Sequence, residues 1–145
     1  MANWGEFEAA APTLALWGAK RLNRSRVAYL ATTQPDGAPC VQTVMPVIAQ
    51  GRLFLFMDTG EDSCWDGRYV MHSLVDNPAG IGGEFQISGY AVPVDDLLIR
   101  EEAVKAACYT PANKYLLYEL IIERAYAADY EDSIPREIRW NATLM

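Results

Sequence analysis

The chain has 145 residues, 51% of them hydrophobic and 21% charged, the composition of one globular domain spanning 1–145 and not of a disordered tail. Twelve Lys and Arg face 19 Asp and Glu, a net charge of −7; that field repels phosphate backbones and anionic lipid, so neither nucleic acid nor a membrane surface is an expected partner. No apolar run reaches the roughly 18 residues of a bilayer span. Residues 1–11 carry Glu6 and Glu8 without a basic start, unlike a signal peptide, so the expected location is the cytoplasm.

In residues 7–22, apolar side chains fall at Phe7, Ala10, Ala11, Leu14, Trp17 and Leu22, near a 3.6-residue period, which predicts a helix. Pro12 fits only in a first helical turn, so it opens this helix and leaves the residues before it as a separate short turn. The period then changes. Residues 26–33 (RVAYLATT) are rich in strand formers and end at the hairpin signal Pro35-Asp36-Gly37. Residues 39–48 follow, then Gln50-Gly51 and 52–58 (RLFLFMD); the three runs read as an antiparallel meander. Residues 68–75 make a fourth strand, and 84–92 (EFQISGYAV) alternate cleanly as a fifth.

Residues 95–108 read as a helix capped by Asp95 after Pro93. Residues 115–125 are strand-like again, and 136–141 (REIRWN) resemble an edge strand. Six or seven short strands with two helices define a mainly β class. The expected architecture is an antiparallel β-barrel with flanking helices, because closure removes open sheet edges; a sandwich is the alternative.

Cys40, Cys64 and Cys108 are odd in number and form no C-x-x-C, so they are expected as thiols. His72 is the only histidine, which excludes a multi-histidine metal centre; no metal is expected. Its plain role is a hydrogen-bonded strand histidine, and its alternative role is a cofactor or substrate contact. Gly80 to Gly83 precede a strand instead of a helix, so they read as a turn and not a phosphate loop. Asp58, Glu61, Asp62 and Asp66 lack the alternating spacing of a calcium loop. Trp140 on the edge strand suits either a dimer contact or a cover over a flat ligand.

The ordered set of segments carries more than any one of them. It runs from the N-terminal helix through VAYLAT (27–32), the DGAP hairpin (36–39), VMPV (44–47), GRLFLF (51–56), DGRYVMH (66–72) and EFQISGYA (84–91) to LYEL (117–120) and IRW (138–140). This series resembles the pyridoxamine 5′-phosphate oxidase-like family of flavin-binding split barrels, especially its short actinobacterial-type members. The resemblance implies a homodimeric split β-barrel with FMN, or in some branches a deazaflavin or haem, in grooves at the dimer interface, passing hydride or electrons to a small-molecule substrate. It further implies a groove lined by Gln42, Thr43, Val44 and Met45, with Asp58 and Thr59 ending the third strand. Arg68 would meet the cofactor phosphate, and His72 and a partner's Trp140 the ring or substrate.

The segment 59–66 departs from the family pattern. It has no Lys or Arg and carries Glu61 and Asp62 where cations are expected. One like-charge pair at about 4 Å costs about 4 kcal/mol at an effective dielectric near 20. Three expectations follow. The first is an FMN-dependent oxidoreductase. The second is a barrel without flavin that binds or converts an apolar small molecule, with His72 and then Asp58 as acid–base candidates. The third is a haem-binding or purely structural dimer with His72 as the axial ligand.

Overall fold

The computed structural model describes residues 1–57, 67–74, 83–131 and 134–142. Asn3 opens the first helix, α1 (Trp4–Ala10), with a capping box: its Oδ1 accepts from the Glu6 N–H at 2.8 Å and Glu6 Oε1 accepts from the Asn3 N–H at 3.0 Å. Pro12 then starts α2 (Pro12–Ser25), where its missing N–H costs nothing. The segment before Pro12 is thus a helix of its own instead of a turn, because that box stabilises it. Arg26, at φ 59°, ends α2.

β1 (Ala28–Thr33) and β2 (Pro39–Val44) form the first hairpin, with Asp36 accepting from the Ala38 N–H and Gly37 at φ 88°. β3 (Val47–Ala49) and β4 (Arg52–Met57) form the second across Gln50 and Gly51, both at positive φ, as the tightest hairpin turns require. β5 (Arg68–Leu74) and β6 (Glu84–Pro93) are followed by α3 (Leu97–Ala106), β7 (Leu116–Glu131) and β8 (Ile134–Asn141).

The mainly β, split-barrel class holds, with eight strands among the described residues in place of six or seven. The extra strand comes from the predicted run 39–48, which breaks at Met45-Pro46 because proline cannot donate to a ladder. The expected meander is also corrected. The sheet order is β2-β1-β5-β6-β7-β4-β3, with β8 added on β7, and every pairing is antiparallel. β4 therefore pairs with β7, not with β2. Asp96, not Asp95, caps α3, accepting from the Leu98 and Ile99 N–H groups at 2.8 and 3.3 Å. β7 is longer than the expected 115–125 because Ala125, Ala127 and Ala128, weak strand formers by themselves, are buried where α2 crosses the sheet.

β2 and β3 sit at opposite ends of the sheet order, yet only Met45 and Pro46 separate them. Three Cα steps of about 3.8 Å keep those ends within about 11 Å. The sheet must therefore curl, and a covalent link instead of a hydrogen-bonded ladder joins its ends. Inside the curl lies the main core, with Trp4, Phe7, Leu14, Leu30, Leu55, Met71, Phe85, Ile87 and Leu120 essentially inaccessible. α1 and α2 plug this interior. Gly18 of α2 lies so close to Phe85 that a Cβ there would meet the ring. A second cluster, Val47, Phe54, Phe56, Ala103 and Leu117, lies beneath α3. β4 thus contributes to both clusters, which explains its continuous apolar run.

β7 also bends. Its pairing with β6 shifts at Ser88/Gly89, and a side chain at Gly89 would collide with the Ile121 carbonyl. The other edge of β7 pairs first with β4, then with Ala2 through two hydrogen bonds to Ile122, and then with β8.

Candidate functional site

Two regions of the surface are concave and chemically mixed. The first is a cavity of about 460 Å³ beside the join of β2 and β3. One wall is Gln42, Thr43, Val44 and Met45; another is the end of β4, Phe56 and Met57; the loop 109–115 closes it with Tyr109, Pro111 and Tyr115. Tyr109 meets Phe56 edge to face, with centroids 6.5 Å apart. Arg100 fastens the loop, donating to the Tyr115 carbonyl at 2.8 Å while lying 5.2 Å from the centre of the Phe56 ring. Burial raises the Tyr109 phenol above its ordinary value, with Cys108 and Tyr115 adding to the rise. The result is an aromatic slot edged by the amide of Gln42 and the hydroxyl of Thr43, suited to a flat, largely apolar guest.

The second region is the outer face of the curled sheet. Strand registers align Thr43, Tyr29, His72, Gln86, Tyr126 and Arg139 in one row, and Val41, Ala31, Val70, Ser88, Arg124 and Asn141 in the next. Two grooves, of about 530 and 400 Å³, share Val70, Ser88 and Arg124 and so run together.

Gln42, Thr43, Val44 and Met45 come together in the aromatic cavity. Asp58 and Thr59 lie outside the described residues, as do Glu61, Asp62, Cys64 and Gly80 to Gly82; β4 delivers the chain to the cavity at Met57, the residue before Asp58. Arg68 is elsewhere: it borders the smaller outer groove, 4.4 Å from the centre of the Tyr90 ring and 3.9 Å from Glu123. His72 Nε2 lies 3.0 Å from Glu84 Oε2, an oriented histidine–carboxylate pair on the outer face. Trp140 packs on Phe7 of its own chain, with centroids 5.2 Å apart, and borders the larger groove.

Cys40 is half-buried and Cys108 exposed, both free thiols, and the described residues contain no cluster able to hold a metal. Gly83 leads directly into β6.

Phe56, Tyr109 and Tyr115 escaped the sequence reading. Phe56 looks like any core residue, and the two tyrosines lie in a loop with no periodicity to expose them. Arg124, Tyr126 and Arg139 escaped it because only the register of three strands makes them neighbours.

The flavin fit divides in two. The aromatic slot suits an isoalloxazine-sized ring, but no Lys or Arg lines that cavity among the described residues. Among the described residues the phosphate end of FMN therefore has no cationic partner in that cavity.

No protein-family model matches the chain, and no curated protein matches it. Solved structures do. A heme binding protein from Mycobacterium smegmatis superposes with a TM-score of 0.65 at 15% identity, covering 85% of this chain and 56% of that one. A Clostridium acetobutylicum protein related to general stress protein 26, of the pyridoxinephosphate oxidase family, gives 0.64 at 12% identity over 92% of this chain and 96% of that one. An FAD-binding protein from Mesorhizobium loti gives 0.63 at 20% identity over 78% of this chain and 92% of that one. The chain has the split-barrel fold of the pyridoxamine 5′-phosphate oxidase-like proteins. No described helix is long and apolar enough to cross a membrane.

Proposed function

We propose that the protein is a cytoplasmic, homodimeric, FMN-dependent oxidoreductase acting on a small molecule. The aromatic cavity would receive the flavin ring, and the outer sheet face would receive the second copy. The observation that carries this reading is the convergence of Gln42 to Met45 with Phe56, Met57, Tyr109 and Tyr115 on one slot at the join of the sheet. The flavin- and heme-binding neighbours support it. The exposed apolar residues Val41, Tyr29 and Val70, at 66%, 46% and 37% accessibility, support the dimer. Redox chemistry would belong to the cofactor; the chain's share is to bind and orient the ring and exclude water.

A second reading is favoured by the lack of a lining cation among the described residues: the same slot binds or converts an apolar small molecule without flavin. The haem reading has less support, since His72 Nε2 is engaged by Glu84 and His72 does not line the aromatic cavity.

Titration of the purified protein with FMN separates these readings. Binding should quench flavin fluorescence, and Tyr109→Ala should weaken it about tenfold or more. A colourless protein that leaves FMN fluorescence unchanged overturns the flavin reading, and a Soret band in the isolated protein supports haem. Light scattering should give twice the chain mass; a monomer overturns the dimer.

A further inference from the structure

Two helices leave exposed faces of opposite charge. α2 buries Leu14, Ala15, Gly18, Arg21 and Leu22. Its other side presents Leu16, 53% accessible, with the exposed Lys20 and Arg24 four and eight residues further on, in one stripe. Residues 9–35 contain no Asp or Glu. Lys20, Arg24 and Arg26 make no side-chain hydrogen bond, ion pair or ring contact with a described residue. Every other Lys and Arg except Arg124 has such a partner. α3 buries only Ala103. Leu97 and Leu98, at 73% and 72% accessibility, and Val104 form its exposed apolar stripe. The exposed carboxylates of Asp95 and Glu101 flank and interrupt that stripe, and they too have no partner among the described residues.

Unpaired cations beside one exposed leucine, and unpaired carboxylates beside two others, are the two halves of one contact. The spacings match when the helices run antiparallel. Along α2, Lys20 lies about 6 Å and Arg24 about 12 Å from Leu16; along α3, Glu101 lies about 4.5 Å and Asp95 about 13 Å from Val104. Leu16 then meets Val104, Lys20 meets Glu101 and Arg24 meets Asp95. Leu97 and Leu98 fall between the two cations, against their apolar stems. We propose that α2 of one copy docks antiparallel on α3 of a second copy, through these two ion pairs and the leucines between them. Each copy carries both halves, so the contact extends whatever unit the chain otherwise forms. One pair of short helices buries little area, so the contact is weak and concentration-dependent. It uses neither the outer sheet face nor the aromatic cavity, and it does not depend on the dimer or on flavin.

Sedimentation and light scattering of the full chain test it. In about 0.01 M salt the mass should rise with protein concentration above that of the unit present in about 1 M salt, where exposed charges are screened. Lys20→Glu with Arg24→Glu should hold the mass at the high-salt unit, and so should Asp95→Lys with Glu101→Lys. Mixing these two variants should restore the larger species, because each supplies the half that the other has reversed; the recovery also shows that both are folded. Leu97→Ser with Leu98→Ser should weaken assembly about tenfold or more. A mass that does not rise in low salt overturns the proposal. So does assembly by either reversed variant alone, or a mixture whose components stay apart. Wild-type chain that binds phosphatidylserine vesicles through Lys20 and Arg24 in place of assembling would give α2 to a lipid surface and overturn it as well. A monomer in high salt that still assembles in low salt would sink the outer-face dimer and leave this contact standing.

Discussion

The two faces of β6 differ more than any two segments of the chain. Phe85, Ile87 and Ala91 point into the curled sheet and are buried, while Gln86, Ser88 and Tyr90 look outward and keep part of their surface in water. The inner set meets two helices and the opposite strands; among the described residues the outer set is flanked by neighbours in the same sheet, including His72, Arg124 and Tyr126. Residues on the inner face are chosen by volume. Those on the outer face are free of that constraint, and there the chain can place arginines, a histidine–carboxylate pair and aromatic rings without cost to the core.

Phe85→Ala attacks the comparison where it is strongest. The ring packs against Trp4, with centroids 6.3 Å apart, and fills the space over Gly18. Its loss should cost about 3–5 kcal/mol in denaturant unfolding; a cost below about 1 kcal/mol would show that the interior is not the tight core described.

Glu119 tests the boundary between the faces. It is a buried carboxylate 3.5 Å from Arg52. Burial raises its protonation above the ordinary 4.5, Arg52 opposes the rise and Glu6 adds to it. The folded state therefore holds this proton more tightly than the unfolded chain, so stability falls as pH rises from about 4.5 through the folded value. Glu119→Gln should remove that fall, a change below about 1 kcal/mol because Arg52 is partly solvated. Unfolding curves from pH 4 to 7 measure it, and an unchanged slope would contradict the sign.

Gln86→Ala, on the exposed side of the same strand as Phe85, should change stability by less than about 0.5 kcal/mol. A loss approaching that of Phe85→Ala would mean that the outer face is structural after all.

Much of the architecture was legible because local rules and global packing agree. The alternation of 84–92 became β6, the unbroken apolar run of 53–57 became a strand buried on both faces, and the Asp36-Gly37 and Gln50-Gly51 turns became hairpins. Where two local signals competed, boundaries moved. Asp95 and Asp96 are equivalent caps on paper, and only the backbone conformation at Asp96 selects it. Gln42 to Met45 were legible as a lining segment through the family resemblance. Their aromatic partners were not, because Tyr109 and Tyr115 reach the cavity only when Arg100 ties their loop against Phe56.

By itself, the amino-acid order determined the strand periodicities, the tight turns, the proline break at Met45-Pro46 and the acidic balance, since each is settled by a residue's own backbone and its near neighbours. Tertiary structure alone decided which strands became partners, that β2 and β3 would end at opposite limits of one sheet, and that Arg124 and Arg139 would share a groove. Those outcomes rest on contacts between residues far apart in the chain, where the burial of Phe85, Leu30 and Leu120 against α1 and α2 selects one register and carries the outer-face side chains into line with it.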